Sequence, residues 1–205
     1  MRKYFLVLLL FSAGSQLHAQ IAARIFHLNP TGDQGVLFKK RISAELMYMG
    51  DFTERDDNWR FRGGISYAPL HARLDTFPSY AEGSNGNISG IFPGYEIYKK
   101  YTMQFLFCGY DLAVLDKQPF YLFVGTDILA GAVTMEYESY YPTIIDETFS
   151  GAEVLIGLRF RGGVQYNLNN NYILFGEFNR SYYFIEENGF QSHYDFGIGL
   201  QYIFY

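Results

Sequence analysis

The chain has little of what most enzymes and secreted domains rely on. It has one cysteine, Cys108, together with four histidines, one tryptophan and six prolines in 205 residues. One cysteine excludes an intramolecular disulfide and any CxxC pair, and on a strand it reads as a small apolar packing residue. No two histidines have metal-ligand spacing, and no Gly-rich phosphate loop occurs, so neither a metal nor a cofactor is expected. Basic residues are also short: 16 Lys and Arg against 21 Asp and Glu give a net charge of −5. That balance argues against a nucleic-acid partner, which needs a basic face. Long apolar runs are missing as well. The longest, residues 4–13, has half of the ~20 residues that a membrane-spanning helix needs.

That run belongs to a different device. Arg2 and Lys3 precede it, and GSQLHA follows with a small-x-small-like end, so residues 1–19 read as a signal peptide cleaved after Ala19. Cleavage leaves 186 residues (205 less 19) and removes Arg2 and Lys3, taking the net charge from −5 to −7. No lipidated cysteine follows the cleavage site. If the exported protein sits in a membrane, it must cross as strands.

What is abundant supports strands. Tyr, Phe and Gly number 19, 20 and 21, yet the mean hydropathy is close to zero. A soluble core would favour Leu, Ile and Val. Aromatics alternating with glycine suit a lipid-facing belt around a tight interior. The stretch 194–205, YDFGIGLQYIFY, is the clearest case. Tyr194, Phe196, Ile198, Leu200, Tyr202 and Phe204 fall on one face of a strand, and Asp195, Gly197, Gly199, Gln201, Ile203 and Tyr205 on the other.

The same alternation predicts strands over about 40–50, 59–68, 89–98, 102–114, 119–133, 152–167 and 172–185, eight with the last. Residues 20–35 show no clear period and read as a periplasmic lead-in, leaving 36–205 for the barrel. DFTERDDN (51–58) reads as a charged loop and 135–149 as a long external one. The turn-rich segment 69–87 fits a turn, a strand extension or a loop. The expected fold is all-β: an eight-stranded, up-and-down, antiparallel transmembrane barrel with both termini periplasmic.

An internal echo accompanies the count. Arg60-Phe61-Arg62-Gly63-Gly64 recurs as Arg159-Phe160-Arg161-Gly162-Gly163. On the expected strands two and six, these segments would stand on opposite walls and run in the same direction. The inward rows carry Gly94-x-Glu96, Gly109-x-Asp111 and Gly125-x-Asp127 on three consecutive expected strands, and Glu45, Glu177 and Asp195 elsewhere. Arg60, Arg62, Arg159 and Arg161 are thus expected to meet Glu45, Glu96, Asp111, Asp127, Glu177 and Asp195 in a structural ion-pair network that plugs the lumen. The glycines would make room for the long arginine side chains.

No catalytic pair is legible. Asn179-x-Ser181 has the two-apart geometry in which small outer-membrane lipid A deacylases carry a His and a Ser, but the histidine is missing. His193 and Ser192 point to opposite faces, and His27 and His71 fall in segments read as irregular. No enzyme is expected. Loop 135–149 has acids and tyrosines (Glu136, Glu138, Asp146, Glu147, Tyr137, Tyr140, Tyr141) suited to a protein or glycan partner.

The run Gly199-x-x-Tyr202-x-Phe204 resembles the C-terminal signal that outer-membrane barrels present to their insertion machinery, with Tyr205 as an extra residue. With that signal, the chain resembles the small eight-stranded outer-membrane proteins typified by the outer-membrane protein A barrel and its "outer membrane beta-barrel" relatives. The resemblance implies an integral outer-membrane protein of a Gram-negative-type envelope, surrounded by lipid, with a structural, adhesive or assembly-partner role. An outer-leaflet lipid-modifying enzyme and a narrow channel are the alternatives.

Overall fold

The computed structural model describes residues 20–50, 58–85, 88–141, 144–186 and 189–204. In chain order its elements are β1 (Gln20–Thr31), α1 (Asp33–Leu37), β2 (Phe38–Lys39), β3 (Arg41–Met49), β4 (Trp59–Ala72), β5 (Phe77–Asn85), β6 (Ile88–Lys117), β7 (Phe120–Tyr141), β8 (Ile144–Asn167), β9 (Tyr172–Ile185) and β10 (Gly189–Ile203). Antiparallel pairing runs β1-β3-β4-β6-β7-β8-β9-β10 and returns to β1. This is the closed eight-stranded up-and-down barrel that the alternation predicts. Closure removes the unpaired edges of an open sheet.

The count agrees with expectation, but two of its members differ. Residues 20–31, expected to be a lead-in, are strand β1, in register with β10 from Gln20↔Ile203 to Thr31↔Ser192. The barrel therefore begins at Gln20, not at 36. The period of β1 is real, with Ala22, Arg24, Phe26 and Leu28 inside and Ile21 and Ile25 outside. Two alanines and an arginine among so few large residues hid it. The expected strands 89–98 and 102–114 are instead one strand, the thirty-residue β6. The lysines at 99 and 100 read as a break, but the chain passes them with a bulge between Tyr98 and Lys100. One strand was missed and one divided, so the total stayed at eight.

The expected loop at 135–149 is also mostly strand, because β7 runs to Tyr141 and β8 resumes at Ile144. Within 69–87, β4 extends to Ala72 and the chain returns as β5. His27 and His71, expected in irregular segments, lie on β1 and β4. Residues 1–19, expected to be a signal peptide, residues 51–57 of the charged loop, and Tyr205 lie outside the described residues.

Faces follow the sequence period. On β10, Phe196 and Ile198 are 60% and 62% exposed, whereas Asp195 and Gln201 are fully buried. The same holds on β4, where Phe61 and Ile65 face out and Arg60 and Arg62 face in. Aromatic and aliphatic residues outside and ion-forming residues inside are the reverse of a water-soluble barrel. In a bilayer the outer belt meets acyl chains, and the closed pairing gives each barrel strand backbone partners on both sides.

Two features sit at the end of the barrel opposite the termini. The upper part of β6 pairs with β5, and the upper part of β7 pairs with β8. Because β9 pairs β8 only from Leu155 onward, β5, β6, β7 and β8 form a sheet that projects beyond the rim. The second feature is the β1–β3 connection, which folds into the mouth. Phe38 is buried, with its ring 4.2 Å from that of Tyr101 and 5.6 Å from that of Tyr98. Gln34 is buried as well: it donates to Tyr101 Oη at 2.5 Å and accepts from Tyr183 Oη at 2.7 Å. Strand β2 anchors this segment by pairing Phe38 with Ala72 and Lys39 with His71.

Closure has a direct test. Protein extracted from membranes and left unboiled in SDS is expected to migrate differently from the boiled sample, because every barrel strand pairs on both sides and offers detergent no free edge. Equal mobility would contradict a closed barrel.

Candidate functional site

The interior is built on two rows of four residues. Across β4, β6, β7 and β8, one row reads Arg60, Asp111, Gly125, Arg161, and the next reads Arg62, Gly109, Asp127, Arg159. Each Arg-x-Arg segment thus lies against a Gly-x-Asp segment, and a local two-fold axis between β6 and β7 exchanges the two halves. The echo noted in the sequence places its copies three strands apart and antiparallel, rather than four apart and parallel. Because β6 is one continuous strand, one strand fewer than expected lies between them.

The rows explain why glycine and aspartate alternate. Arg60 Nε donates to Asp111 Oδ2 at 2.8 Å, and Arg159 Nε to Asp127 Oδ2 at 2.7 Å, each to its register neighbour. The other arginine of each segment faces a glycine and reaches over it. Arg161 passes Gly125 to place Nη1 2.5 Å from Asp111 Oδ1, and its Nη2 donates to Asp127 Oδ1 at 2.8 Å. Arg62 Nε lies 3.8 Å from Asp127 Oδ1 beyond Gly109. A Cβ on Gly125 would collide with Asp111 Oδ1, and one on Gly109 with the Asp127 carboxylate. Here glycine serves for close approach rather than for backbone freedom.

Across the bore, β1, β3, β9 and β10 complete the network. Arg24 Nε lies 3.0 Å from Glu45 Oε2, and its Nη1 lies 3.1 Å from Glu177 Oε2 and 3.0 Å from Asp195 Oδ1. Arg62 Nη1 donates to Glu177 Oε1 at 2.5 Å, and Arg159 Nη1 donates to Glu45. Five arginines (24, 60, 62, 159, 161) and five carboxylates (45, 111, 127, 177, 195) therefore share one buried layer, so their formal charges cancel. Rings add a second contact: the Arg62 and Arg159 guanidinium carbons lie 5.1 and 4.4 Å from the centre of Phe107, and that of Arg60 lies 4.6 Å from Phe123. Above the charges come Met103, Leu129, Val133, Leu155 and Ile185, all buried, and above these the Gln34 and Phe38 plug.

Arg24 joins this layer although residues 20–35 are expected to be a lead-in; its one signal in the sequence is an arginine at every-second-residue spacing with Ala22 and Phe26. Glu96, expected in the network, does not belong to it. It lies on the projecting part of β6, accepting hydrogen bonds from Ser79 Oγ at 2.9 Å and Tyr98 Oη at 3.1 Å. Gly94 lies beside it there, so the three Gly-x-acid segments do not share a row on three strands. Of the C-terminal residues, Phe204 faces out and Tyr202 is half-buried at the end of the belt. Gly199 lies against the Phe175 ring, where a Cβ would collide.

One pairing was not legible along the sequence. Ser181 on β9 stands opposite His193 on β10, and Asp195 lies on the same inner face. His193 Nε2 is 3.8 Å from Asp195 Oδ2. Among the described residues, neither Ser181 Oγ nor either ring nitrogen of His193 has a hydrogen-bond partner, so the nucleophile–base contact of acyl transfer is not formed here. Among the described residues, no group of three His, Cys, Asp or Glu side chains is placed to hold a metal ion.

Among solved structures, Neisserial surface protein A aligns over 91% of this chain and 97% of its own, with a TM-score of 0.59 at 12% identity. The chain has the fold of the small outer-membrane β-barrels. Ail, the attachment invasion locus protein of Yersinia pestis, aligns over 92% of this chain and 100% of its own with a TM-score of 0.49 and 15% identity. No family model and no curated protein sequence matches the chain. For this outer-membrane barrel, the apolar belt is the bilayer-spanning surface. The short turns lie at the end that holds the termini, and the projecting sheet lies at the opposite end.

Proposed function

We propose that this is a sealed outer-membrane barrel that works from its projecting sheet, in an adhesive or assembly-partner role, with the barrel as its anchor. The observation that carries this reading is the charge-balanced layer. Five arginines and five carboxylates meet across a bore that eight strands leave barely wide enough for side chains. A channel would need one sign in excess and an open path. Here the apolar layer and the Gln34–Phe38 plug close the same path again.

The sheet offers what the lumen does not. Tyr95 and Tyr140 stack at 4.9 Å, and Tyr137 stacks on Phe149 at 5.0 Å. Tyr80 and Ile91 are 70% and 65% exposed. Exposed aromatic and β-branched residues on a stiff support suit contact with a protein or glycan surface. Insertion by the outer-membrane assembly machinery through Gly199, Tyr202 and Phe204 is part of the same reading.

Planar-bilayer recordings test it: the wild-type protein is expected to show no steady conductance. Steady conductance would overturn the sealed lumen and favour a narrow channel. A second reading, outer-leaflet acyl hydrolysis, rests on the Ser181–His193–Asp195 juxtaposition. Labelling of Ser181 by a serine-reactive phosphonate in the folded protein would favour it over the sealed barrel.

A further inference from the structure

The outward face of β3, β4, β6 and β7 departs from a plain apolar belt in three ways that line up along the strands. First, a depression of about 680 Å³ opens on this wall, where Ala44, Ala130 and Ala132 lie low between Leu46, Tyr67 and Leu106. Its size is within the ~300–1,000 Å³ typical of small-molecule sites. Second, the depression holds Gln104, flanked in register by Tyr67 and Ala132. Its side-chain amide has no hydrogen-bond partner among the described residues. An amide facing hydrocarbon without a partner is costly, so a partner from the membrane is called for.

Third, a polar row crosses the same strands above Gln104. Along β6, Thr102 is buried and Lys100 is exposed. Lys100 comes next in register to His71 of β4, after the Leu70↔Tyr101 pair, and His71 pairs with Lys39 of β2. The bulge at Tyr98 and Lys100 also turns Lys99 to this side, where Glu138 neutralises it. Lys39 and Lys100 make no ion pair among the described residues, although Glu136 is the register partner of Lys100 and Asp75 lies near the same recess. Two unpaired ammonium groups thus flank His71 at the upper edge of the belt. From Gln104 to Lys100 is four residues, roughly 13 Å along a strand.

We propose that this wall binds one acylated, phosphate-bearing lipid of the outer leaflet. An acyl chain lies in the depression, the Gln104 amide donates to the carbonyl of the acyl linkage, and Lys39 and Lys100 hold the headgroup phosphate. The order of the three zones along β6 is the order of the three chemical zones of such a lipid. A free anion would use only the lysines and would leave the depression and Gln104 without a role. The site is on the outside of the barrel and is independent of the sealed lumen and of what the projecting sheet contacts.

The test uses the full exported chain in mixed micelles holding equal amounts of bisphosphorylated lipid A and phosphatidylcholine, with retained lipid counted by native mass spectrometry. Wild type is expected to keep lipid A over phosphatidylcholine by about fivefold, and Lys39→Gln with Lys100→Gln to bring that preference to within about twofold. Ala44→Phe with Ala132→Phe fills the depression and is expected to lower retention of both lipids by about threefold. Lys117→Gln, at the periplasmic end, is expected to change nothing. Equal retention of the two lipids by wild type overturns the proposal, as does a Lys117→Gln loss as large as that of the lysine pair. Full displacement of lipid A by millimolar inorganic phosphate overturns it in favour of a soluble anion. Should the phenylalanine variant fail to show the folded gel mobility, the exposed lysine pair decides alone.

Discussion

Arg24→Ala is expected to be the most damaging single substitution in the interior, lowering stability by about 3–5 kcal/mol, the usual consequence of removing one partner from a buried ion pair. Arg24 is fully buried and lies within 3.1 Å of three carboxylates, Glu45, Glu177 and Asp195, which belong to three different strands. Without it, four arginines face five carboxylates. Arg62 and Arg159 still hold Glu45 and Glu177. Among the described residues, Asp195 then keeps the Asn179 amide at 2.9 Å, the His193 ring at 3.8 Å and a longer-range attraction to Arg159. The midpoint of the heat-induced shift from folded to unfolded gel mobility should fall clearly for Arg24→Ala. For Arg180→Ala it should stay within about 0.5–1 kcal/mol of wild type, since Arg180 is only half-buried and donates to Ser192 Oγ rather than to a carboxylate. Equal midpoints for the two variants would show that Arg24 does not tie the walls together.

The fold was legible wherever the outward set was large and apolar. Residues 194–204 and the two Arg-x-Arg segments alternate strongly, and the structure gives them the expected faces. The period failed where side chains on both faces are small, as in β1, where Ala22 and Ala23 are neighbours. It failed again where a bulge shifts the phase, as at Lys99 and Lys100 in β6. Strand length was hidden for a related reason. Nothing in alternation marks the point where a strand leaves the bilayer, so the projecting halves of β7 and β8 read as loop.

The site was legible as a composition but not as a geometry. Four arginines and several acids at inward positions follow from period two. Which acid meets which arginine depends on register, and register depends on the strand count between them. With β6 divided, the two Arg-x-Arg segments fell on opposite walls. With β6 whole, they flank a common pair of Gly-x-Asp segments, and the glycine-for-reach relation appears. Ser181 and His193 show the same limit, since only cross-strand pairing brings them together.

Arg62→Ala combined with Arg161→Ala is expected to open the lumen that the proposed seal closes. These are the two arginines that reach over glycine, Arg62 past Gly109 and Arg161 past Gly125. Their removal empties the space above both glycines and leaves three arginines against five carboxylates. Asp111 keeps Arg60, and Asp127 keeps Arg159. Glu177 loses its 2.5 Å contact with Arg62. The surplus of negative charge, in a wider and wetter bore, should favour cations. Bilayer recordings should therefore show a small cation-favouring leak, and the folded gel form should convert at a lower temperature, by the equivalent of about 3–5 kcal/mol or more. Phe61→Ala with Phe160→Ala is the matched control, because both rings are exposed on the lipid side of the same segments. That control should weaken contact with the bilayer and conduct nothing. If the arginine double variant stays silent and as heat-resistant as wild type, the crossing ion pairs are not what closes the bore. The seal would then lie in the layer above, where Gln34 joins Tyr101 to Tyr183 and Phe38 fills the mouth.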